Sequence, residues 1–438
     1  MYANDDRTGT FFSCLDRGER GIITCDDKYI QAGVLLYGIV QSRFTDHVTK
    51  ILEFMCVVVP MILACTLFSS SHFVLYGLMI AITACISIRT PRAKQFHSSI
   101  NNNTAYVSWY RATVLLFTCI CILAVDFVVF PRRYGKTETT GTGLMDTGVG
   151  CFVFSSALLS RASRGKRDSS FFMTPSRMKR LGQLLTLGFL RVAVHSGIQY
   201  QHHVSEYGTH WNFFFTLASL MIFTSLLPVA KYSIILGLGL AFSYEYFLTG
   251  MNGTSYMLNA PRVDLLSSNR EGILGSLGFM SLYCITVSIG SRYIWRPSSS
   301  KHVHIVRELL ALSATLWIAY ALCDRFISPA SRRMVNLTYI VWILAQNVFM
   351  LGLFASVQHI LSPNVPNSST LNSLSRNTLS IFLISNLATG LVNLSMNTIE
   401  STEPIGFIVI MIYMALVFAY ASFIHTSRTS RINSSLKK

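Results

Sequence analysis

The chain has 438 residues, of which 51% are hydrophobic and only 13% are charged, and its formal net charge is +16. This composition excludes an ordinary soluble protein, whose charged fraction is about twice as large. The apolar residues form runs close to the roughly 20 residues that an α-helix needs to cross a bilayer, so we expect an all-α polytopic membrane protein without a soluble domain.

In chain order the apolar runs predict about thirteen transmembrane helices, which form one membrane domain over 29–424 between tails at 1–28 and 425–438. The predicted spans are Tyr29 to Ser42, Ile51 to Phe68, Phe73 to Ile88, Tyr110 to Phe130, Leu144 to Ser160, Leu181 to Gly197, Phe213 to Ala230, Tyr232 to Gly250, Ile273 to Ser291, Val306 to Cys323, Leu337 to Val357, Leu379 to Leu394 and Ile405 to Ile424. The first span is short and contains Gln31 and Gly33, which weakens the pattern there.

The distribution of Lys and Arg predicts the orientation, because loops rich in these residues stay in the cytosol. The more basic set of alternate loops comprises Arg89, Arg92, Lys94, Arg161, Arg164, Lys166, Arg167, Arg177, Lys179, Arg180, Arg292, Arg296, Lys301, Arg428, Arg431, Lys437 and Lys438. With an odd number of spans, the N-terminus is then lumenal and the C-terminus cytosolic. This topology accounts for the positive net charge, so nucleic-acid binding is not implied.

A dense group of charged residues surrounds the end of the predicted fourth span. Asp126 lies about one turn inside that end, where an ionised carboxylate is costly unless it is paired or faces a polar cavity. Pro131 ends the helix, and Arg132, Arg133 and Lys136 follow. A salt bridge at the membrane edge is one interpretation. The density of charge favours a functional one, in which the carboxylate takes a proton from a hydroxyl and the cations stabilise a phosphate or an oxyanion.

A polar segment between the predicted sixth and seventh spans contains four residues that can bind metals: His202, His203, Glu206 and His210. Their spacing does not match the usual helical zinc pattern, and no cysteine assists them, so we predict no metal site. A polar loop that lines a lipid headgroup pocket is the better interpretation.

The predicted twelfth span carries a stripe of amides at helical spacing, which includes Asn386 and Asn393. Such amides can form hydrogen bonds between helices or face a substrate, and the sequence favours neither interpretation over the other.

Several of these segments carry a family resemblance. The run Asp126–Glu138, followed by Gly141 and by Leu144–Gly150, resembles the signature of the PIG-W family, the inositol acyltransferases of glycosylphosphatidylinositol (GPI) anchor synthesis. The segments His203–Leu217, Ser331–Tyr339 and Asn386–Leu394 are also similar to that family, so the resemblance extends from about Asp126 to the C-terminus.

The resemblance implies transfer of a fatty acyl chain, typically palmitoyl, from acyl-CoA to the inositol of glucosaminyl-phosphatidylinositol in the endoplasmic reticulum membrane. Acyl-CoA is then a co-substrate rather than a cofactor, and membrane lipids are the surroundings. We assign Asp126 as the general base, Lys136 as the partner of the oxyanion or a phosphate, and Arg132 and Arg133 as phosphate ligands. The other expected substrate-binding residues are Thr137, Glu138, Asp146, His210, Asn386 and Asn393.

Three alternatives remain at this stage, and the first is a structural assembly factor, because an inactive relative would keep most of the spans. A covalent acyl-enzyme could form on Cys121 or Cys151, although the good thiolate leaving group makes a covalent step unnecessary. A secondary transporter or flippase for a phospholipid or an anionic solute would also carry polar residues in its helices, but it should have repeated halves, and none is evident.

Cys14 and Cys25 in the predicted lumenal tail could form a disulfide.

Overall fold

The computed structural model describes residues 33–34, 36–38, 46–89, 104–165, 174–197, 206–296, 302–362 and 368–436. Within these ranges the chain forms helices and turns and no strand, which confirms the predicted all-α membrane class. Among the described residues, 8 helices are long and apolar enough to cross a membrane, and shorter apolar helices accompany them at His72–Thr83, Leu144–Leu158 and Phe213–Leu226. The count of thirteen stays a prediction. The N-terminal tail with Cys14 and Cys25, and most of the first predicted span, lie outside the described residues.

The helices are numbered here in chain order. They are α1 (Asp46–Glu53), α2 (Val59–Cys65), α3 (His72–Arg89), α4 (Ala105–Ala124), α5 (Gly148–Leu158), α6 (Pro175–Gly197), α7 (Phe213–Leu226), α8 (Val229–Gly250), α9 (Gly253–Asn259), α10 (Leu265–Ser268), α11 (Arg270–Ile289), α12 (His302–Phe326), α13 (Leu337–Leu361), α14 (Ser369–Arg376), α15 (Thr378–Ser395) and α16 (Glu403–Leu436). A π-helical turn, Phe54–Val58, joins α1 to α2.

The chain divides into two compact units, of which unit 1 comprises residues 1–135 and 350–438. Its centre is α4, which packs against α14, α15 and α16. The hydroxyl of Tyr413 in α16 lies 3.1 Å from the carbonyl oxygen of Cys119 in α4 and 3.3 Å from that of Ser385 in α15. One buried hydroxyl therefore links three helices, and it fixes α15 beside α4.

The predicted fourth span is wrong at its end, because α4 stops at Ala124. Beyond it the backbone forms single turns, in which the N–H of Asp126 donates to the carbonyl of Leu123 at 3.1 Å. Protein buries Phe127, Val129 and Phe130, whereas Val128 is 52% exposed. A Cβ at Gly406 of α16 would lie only 2.9 Å from the Phe127 ring. Hydropathy alone does not distinguish burial by protein from burial by lipid.

Unit 2 comprises residues 136–349, and α11 is its most contacted helix. It packs against α5, α7 and α8. The contact with α8 is close at Gly237, where an added Cβ would come within 2.6 Å of Ile285. Small residues at such crossings let helix backbones approach each other, as is common in membrane bundles.

The segment between α12 and α13 is held by buried hydrogen bonds within unit 2. The carboxylate of Glu245 in α8 accepts a bond from the Ser328 hydroxyl at 2.9 Å and another from the N–H of Leu337 at 2.8 Å. The N–H of Gly141 donates to the carbonyl of Ala330 at 2.8 Å. These bonds fix the segment that carries two adjacent arginines beside the loop that begins at Lys136.

Candidate active site

Asp126 in unit 1 is a partly buried carboxylate with one amide partner. Its Oδ2 accepts a hydrogen bond from the side-chain amide of Asn393 at 2.9 Å. In the described part of the chain Oδ1 accepts no hydrogen bond, so it can still accept one from a ligand. Burial raises the pKa of Asp126, although Asn393 and the nearby Arg132 oppose that rise. A carboxylate of raised pKa is a stronger base than an exposed aspartate once it is ionised.

The two arginines that follow Asp126 bind backbone carbonyls. Arg132 donates to the carbonyl of Val125 at 2.8 Å and so satisfies a free carbonyl at the end of α4. Arg133 donates to the carbonyl of Ser69 at 2.7 Å, and its guanidinium lies 5.1 Å from the ring of the buried Tyr134. Each of these guanidinium groups has five N–H donors and uses few of them here, so both can also bind a phosphate oxygen.

Lys136 in unit 2 is paired with a carboxylate that the sequence did not assign to it. Its ammonium nitrogen lies 2.8 Å and 3.0 Å from the two carboxylate oxygens of Glu206. The lysine is 43% exposed and the glutamate 21%, so the pair has one side toward solvent and one toward protein. Burial disfavours the charge of Glu206, but Lys136 and Arg332 outweigh it and lower the pKa of this carboxyl.

Arg332 connects Glu206 to a second carboxylate, Asp146, which is fully buried. The guanidinium lies 2.9 Å from Asp146 Oδ1 and 3.2 Å from Glu206 Oε1. Asp146 also accepts hydrogen bonds from the N–H groups of Thr137 at 3.1 Å and Gly143 at 2.9 Å. Because Thr137 follows Lys136 directly, this network fixes the backbone that carries the lysine.

A further ion cluster surrounds Glu271, in the first turn of α11. Its fully buried carboxylate binds the guanidinium groups of Arg262 and Arg333, and the Nε of Arg270 lies 3.9 Å away. Arg270 also donates to the carbonyls of Met257 and Ala260. One carboxylate therefore serves three arginines.

The structure brings some of the predicted site residues together and leaves others apart. Asp126 and Asn393 are in contact, and so are Asp146 and the backbone of Thr137. Glu138 is exposed, and only the backbone of His210 has a described partner, the Asn269 side chain at 2.7 Å. Asn386 and Lys136 have partners outside the predicted set: the amide of Asn386 donates to the carbonyl of Phe382 in its own helix, and Lys136 binds Glu206. His202 and His203 lie outside the described residues.

Sequence reasoning missed the roles of Glu206, Glu271, Arg332 and Arg333. The sequence presents Glu206 as a candidate metal ligand or as part of a polar loop, and it presents the two arginines only within the similar segment Ser331–Tyr339. The carboxylate partners of Arg332, Glu206 and Asp146, lie 126 and 186 residues away in the sequence, so no local spacing reveals them. The available signal was chemical: adjacent arginines and isolated glutamates in a chain with few charges need partners.

Comparison with known proteins gives a consistent family. Residues 23–424 match the family described as GWT1. The phosphatidylinositol-glycan biosynthesis class W protein of Dictyostelium discoideum is 36% identical, with 83% of this chain and 84% of that protein covered. GPI-anchored wall transfer protein 1 of Yarrowia lipolytica is 31% identical, with 91% and 92% covered. An uncharacterized protein of Arabidopsis thaliana is 38% identical, with 86% and 87% covered. The chain therefore belongs to the GWT1 family, which confirms the resemblance to the PIG-W family.

Proposed function

We propose that this protein transfers a fatty acyl chain, most simply palmitoyl, from acyl-CoA to an inositol hydroxyl of glucosaminyl-phosphatidylinositol in the endoplasmic reticulum membrane. Family membership supports a role in GPI-anchor biosynthesis, and the many membrane-spanning helices suit a lipid substrate. The single observation that carries the chemistry is the partly buried carboxylate of Asp126, held at one oxygen by Asn393 and able to accept a hydrogen bond at the other.

In the proposed reaction Asp126 removes the proton from the inositol hydroxyl. A secondary alcohol is a weak nucleophile toward a thioester, and partial deprotonation during attack activates it. The amide of Asn393 orients the carboxylate, so that Oδ1 faces the incoming hydroxyl. The base must be ionised to act, and the raised pKa of Asp126 strengthens it in that form.

The alcohol oxygen then bonds to the thioester carbonyl carbon, and the carbonyl oxygen becomes an oxyanion. We assign its stabilisation to the ammonium group of Lys136, which the Glu206 carboxylate orients. When the carbonyl re-forms, the carbon–sulfur bond breaks, and coenzyme A leaves as a thiolate that takes the proton from Asp126. The products are the inositol ester and free coenzyme A, and the enzyme returns to its starting protonation state.

A direct transfer is favoured over a covalent acyl-cysteine intermediate. Cys121 is 6% exposed and Cys151 is 4% exposed, so neither thiol is presented to a substrate in the described structure. Substituting serine at both positions should therefore preserve acyl transfer, whereas a covalent route through either thiol would not survive.

The test is acylation of glucosaminyl-phosphatidylinositol with radiolabelled palmitoyl-CoA, using membranes that contain equal amounts of each variant. We expect turnover by the wild type and a loss of at least about 100-fold in Asp126→Asn and in Lys136→Met, the scale of general-base and oxyanion contributions. Glu400→Gln and Lys231→Met are the matched controls, because both remove an exposed charge of the same sign from the same unit as the tested residue.

Each outcome of this assay is decisive. Wild-type membranes that do not acylate the lipid would refute the proposed activity and would direct attention to transport of a phospholipid or an anionic solute. Wild-type turnover that survives both substitutions would keep the activity and remove Asp126 and Lys136 from the chemistry.

A further inference from the structure

A narrow cleft in unit 2 lies between the Glu206 and Glu271 ion clusters. It contains about 290 Å³ of space that protein atoms do not fill, its open mouth included. Its charged lining consists of Glu206, Glu271, Arg332 and Arg333, and the other lining residues are Val149, Tyr207, Thr216, Gly272, Phe279 and Val335. The enclosed part of the cleft is only about 10 Å³, the size of one water molecule, so any larger polar group would lie in its open mouth.

The cations around the cleft outnumber the carboxylates, and the excess corresponds to Lys136 and Arg262, which are 43% and 25% exposed. Lys136, Arg262, Arg270, Arg332 and Arg333 share three carboxylates, those of Asp146, Glu206 and Glu271. The two cations that line the cleft are only 10% and 12% exposed, so water screens them poorly. The three carboxylates match the buried Arg270, Arg332 and Arg333 in number, so the net positive charge lies on partly exposed groups and favours a bound anion without requiring one.

Of the two arginines that line the cleft, Arg333 is the one with a single carboxylate partner. Its one carboxylate partner, Glu271, lies 3.0 Å away and is shared with two other arginines. Its Nε is buried and has no hydrogen-bond partner in the described structure. A buried donor without a partner is rare and calls for an explanation, and a ligand that accepts from it supplies one.

The first turn of α11 adds a partial positive charge to the cleft, which Glu271 in the same turn offsets in part. This helix has 20 residues and begins at Arg270, and its residues Glu271 and Gly272 line the cleft. The N-terminus of a long helix carries a partial positive charge and favours anions. Arginine side chains present planar N–H groups that match the oxygens of a phosphate.

We propose that this cleft binds a phosphoryl group through Arg333, with Arg332 beside it. The proposal rests on the proposed acyl transfer, since both substrates of that reaction carry phosphate: the phosphodiester of the inositol lipid and the phosphates of coenzyme A. Glu206 lines the cleft and also binds Lys136, the residue assigned to the oxyanion. A phosphate in the cleft would therefore be separated from Lys136 by the Glu206 side chain.

The kinetic test compares wild type, Arg333→Gln and Arg333→Lys in the purified, detergent-solubilised protein, with each substrate varied in turn. Arg333→Gln should raise the KM of one substrate by about tenfold or more, as expected for a lost charge-assisted hydrogen bond, and Arg333→Lys should raise it less. A rise confined to the inositol lipid identifies its phosphodiester as the ligand, and a rise confined to palmitoyl-CoA identifies a coenzyme A phosphate.

Arg262→Gln is the matched control, because Arg262 binds the same Glu271 carboxylate but does not line the cleft. It should leave both KM values within about twofold of wild type, the scatter expected for a partly exposed ion pair. Equal effects of Arg262→Gln and Arg333→Gln would mean that both arginines only support Glu271, and this would overturn the proposal.

A binding measurement separates this proposal from the proposed activity. Glycerophosphoinositol and coenzyme A are added singly to the purified protein, and the thermal midpoint is recorded. One of them should stabilise wild type and Arg262→Gln and fail to stabilise Arg333→Gln, even if the wild type transfers no acyl chain. If the enzyme is active and its stabilisation by both probes does not depend on Arg333, the proposed phosphate site is refuted and the proposed acyl transfer stands. If Arg333→Gln aggregates, Arg333→Lys is judged by the same criteria, with a weaker stabilisation expected.

Discussion

Removing the amide partner of Asp126 should change the pH dependence of acyl transfer in a calculable way. The Asn393 amide donates to Asp126 Oδ2 at 2.9 Å, and this bond favours the ionised form of the carboxyl. Hydrogen bonds to charged groups contribute about 1.5–3 kcal/mol, and the exposed side chain of Asn393 puts this one at the lower end. Asn393→Ala should therefore raise the pKa of Asp126 beyond the rise that burial causes, because the ionised carboxyl loses this hydrogen bond.

A general base works only when it is ionised, so activity is lost as the pH falls through the pKa of Asp126. The higher pKa in Asn393→Ala therefore moves the acidic limb of the kcat/KM profile to higher pH. Below that limb the variant should be about tenfold slower than wild type, and well above it the two should agree within about threefold.

The assay is acylation of glucosaminyl-phosphatidylinositol over a pH series, with expression matched among variants. Asn386→Ala is the control for the limb position, because this amide lies in the same helix and donates to its own backbone at Phe382. Its acidic limb should coincide with that of wild type. A uniform loss of activity in Asn393→Ala without movement of the limb would refute the assignment of Asp126 as the base that Asn393 supports.

Three further predictions concern stability and topology. Arg332→Met should lower the free energy of unfolding by about 3–5 kcal/mol, measured by SDS titration in mixed micelles, because it leaves the buried Asp146 carboxylate without its guanidinium partner. Adding Asp146→Asn should restore part of this loss. Additive losses in the double variant would contradict the pairing. Gly237→Val should lower the thermal midpoint, since even a Cβ there comes within 2.6 Å of α11, and an unchanged midpoint would contradict this close contact. The predicted orientation exposes Asn252 to the lumen and Asn433 to the cytosol. Glycosidase treatment should therefore shift the gel mobility of the wild type and not that of Asn252→Gln. A glycan on Asn433 would show that the orientation is the reverse of the predicted one.

The sequence predicted the class of this protein because the bilayer imposes a simple rule on composition. A helix must be about 20 residues long and apolar to cross hydrocarbon, and both properties are visible in a single sequence. The same reasoning placed Asp126 inside a span, whereas α4 ends at Ala124. The run Phe127 to Phe130 is apolar because protein surrounds most of it, and hydropathy does not record which surroundings bury a residue.

The family could also be recognised from the sequence, since the run from Asp126 to Glu138 is long and specific, and the comparisons confirm it. The charged groups in that run, including Asp126 and Lys136, are visible because charge is rare in this chain. What the sequence could not supply is the partner of each group.

Only the tertiary structure decided those partners. Asn393 meets Asp126 across 267 positions of the chain, and Arg332 joins Asp146 across 186. The sequence-based choice between an amide that links helices and one that faces a substrate was open for Asn386 and Asn393 alike, and the structure separates them: Asn386 binds its own helix, and Asn393 binds the carboxylate. A helical pattern specifies which face a residue occupies, but packing decides what that face meets, because contacts between distant segments depend on how all the helices fill space together.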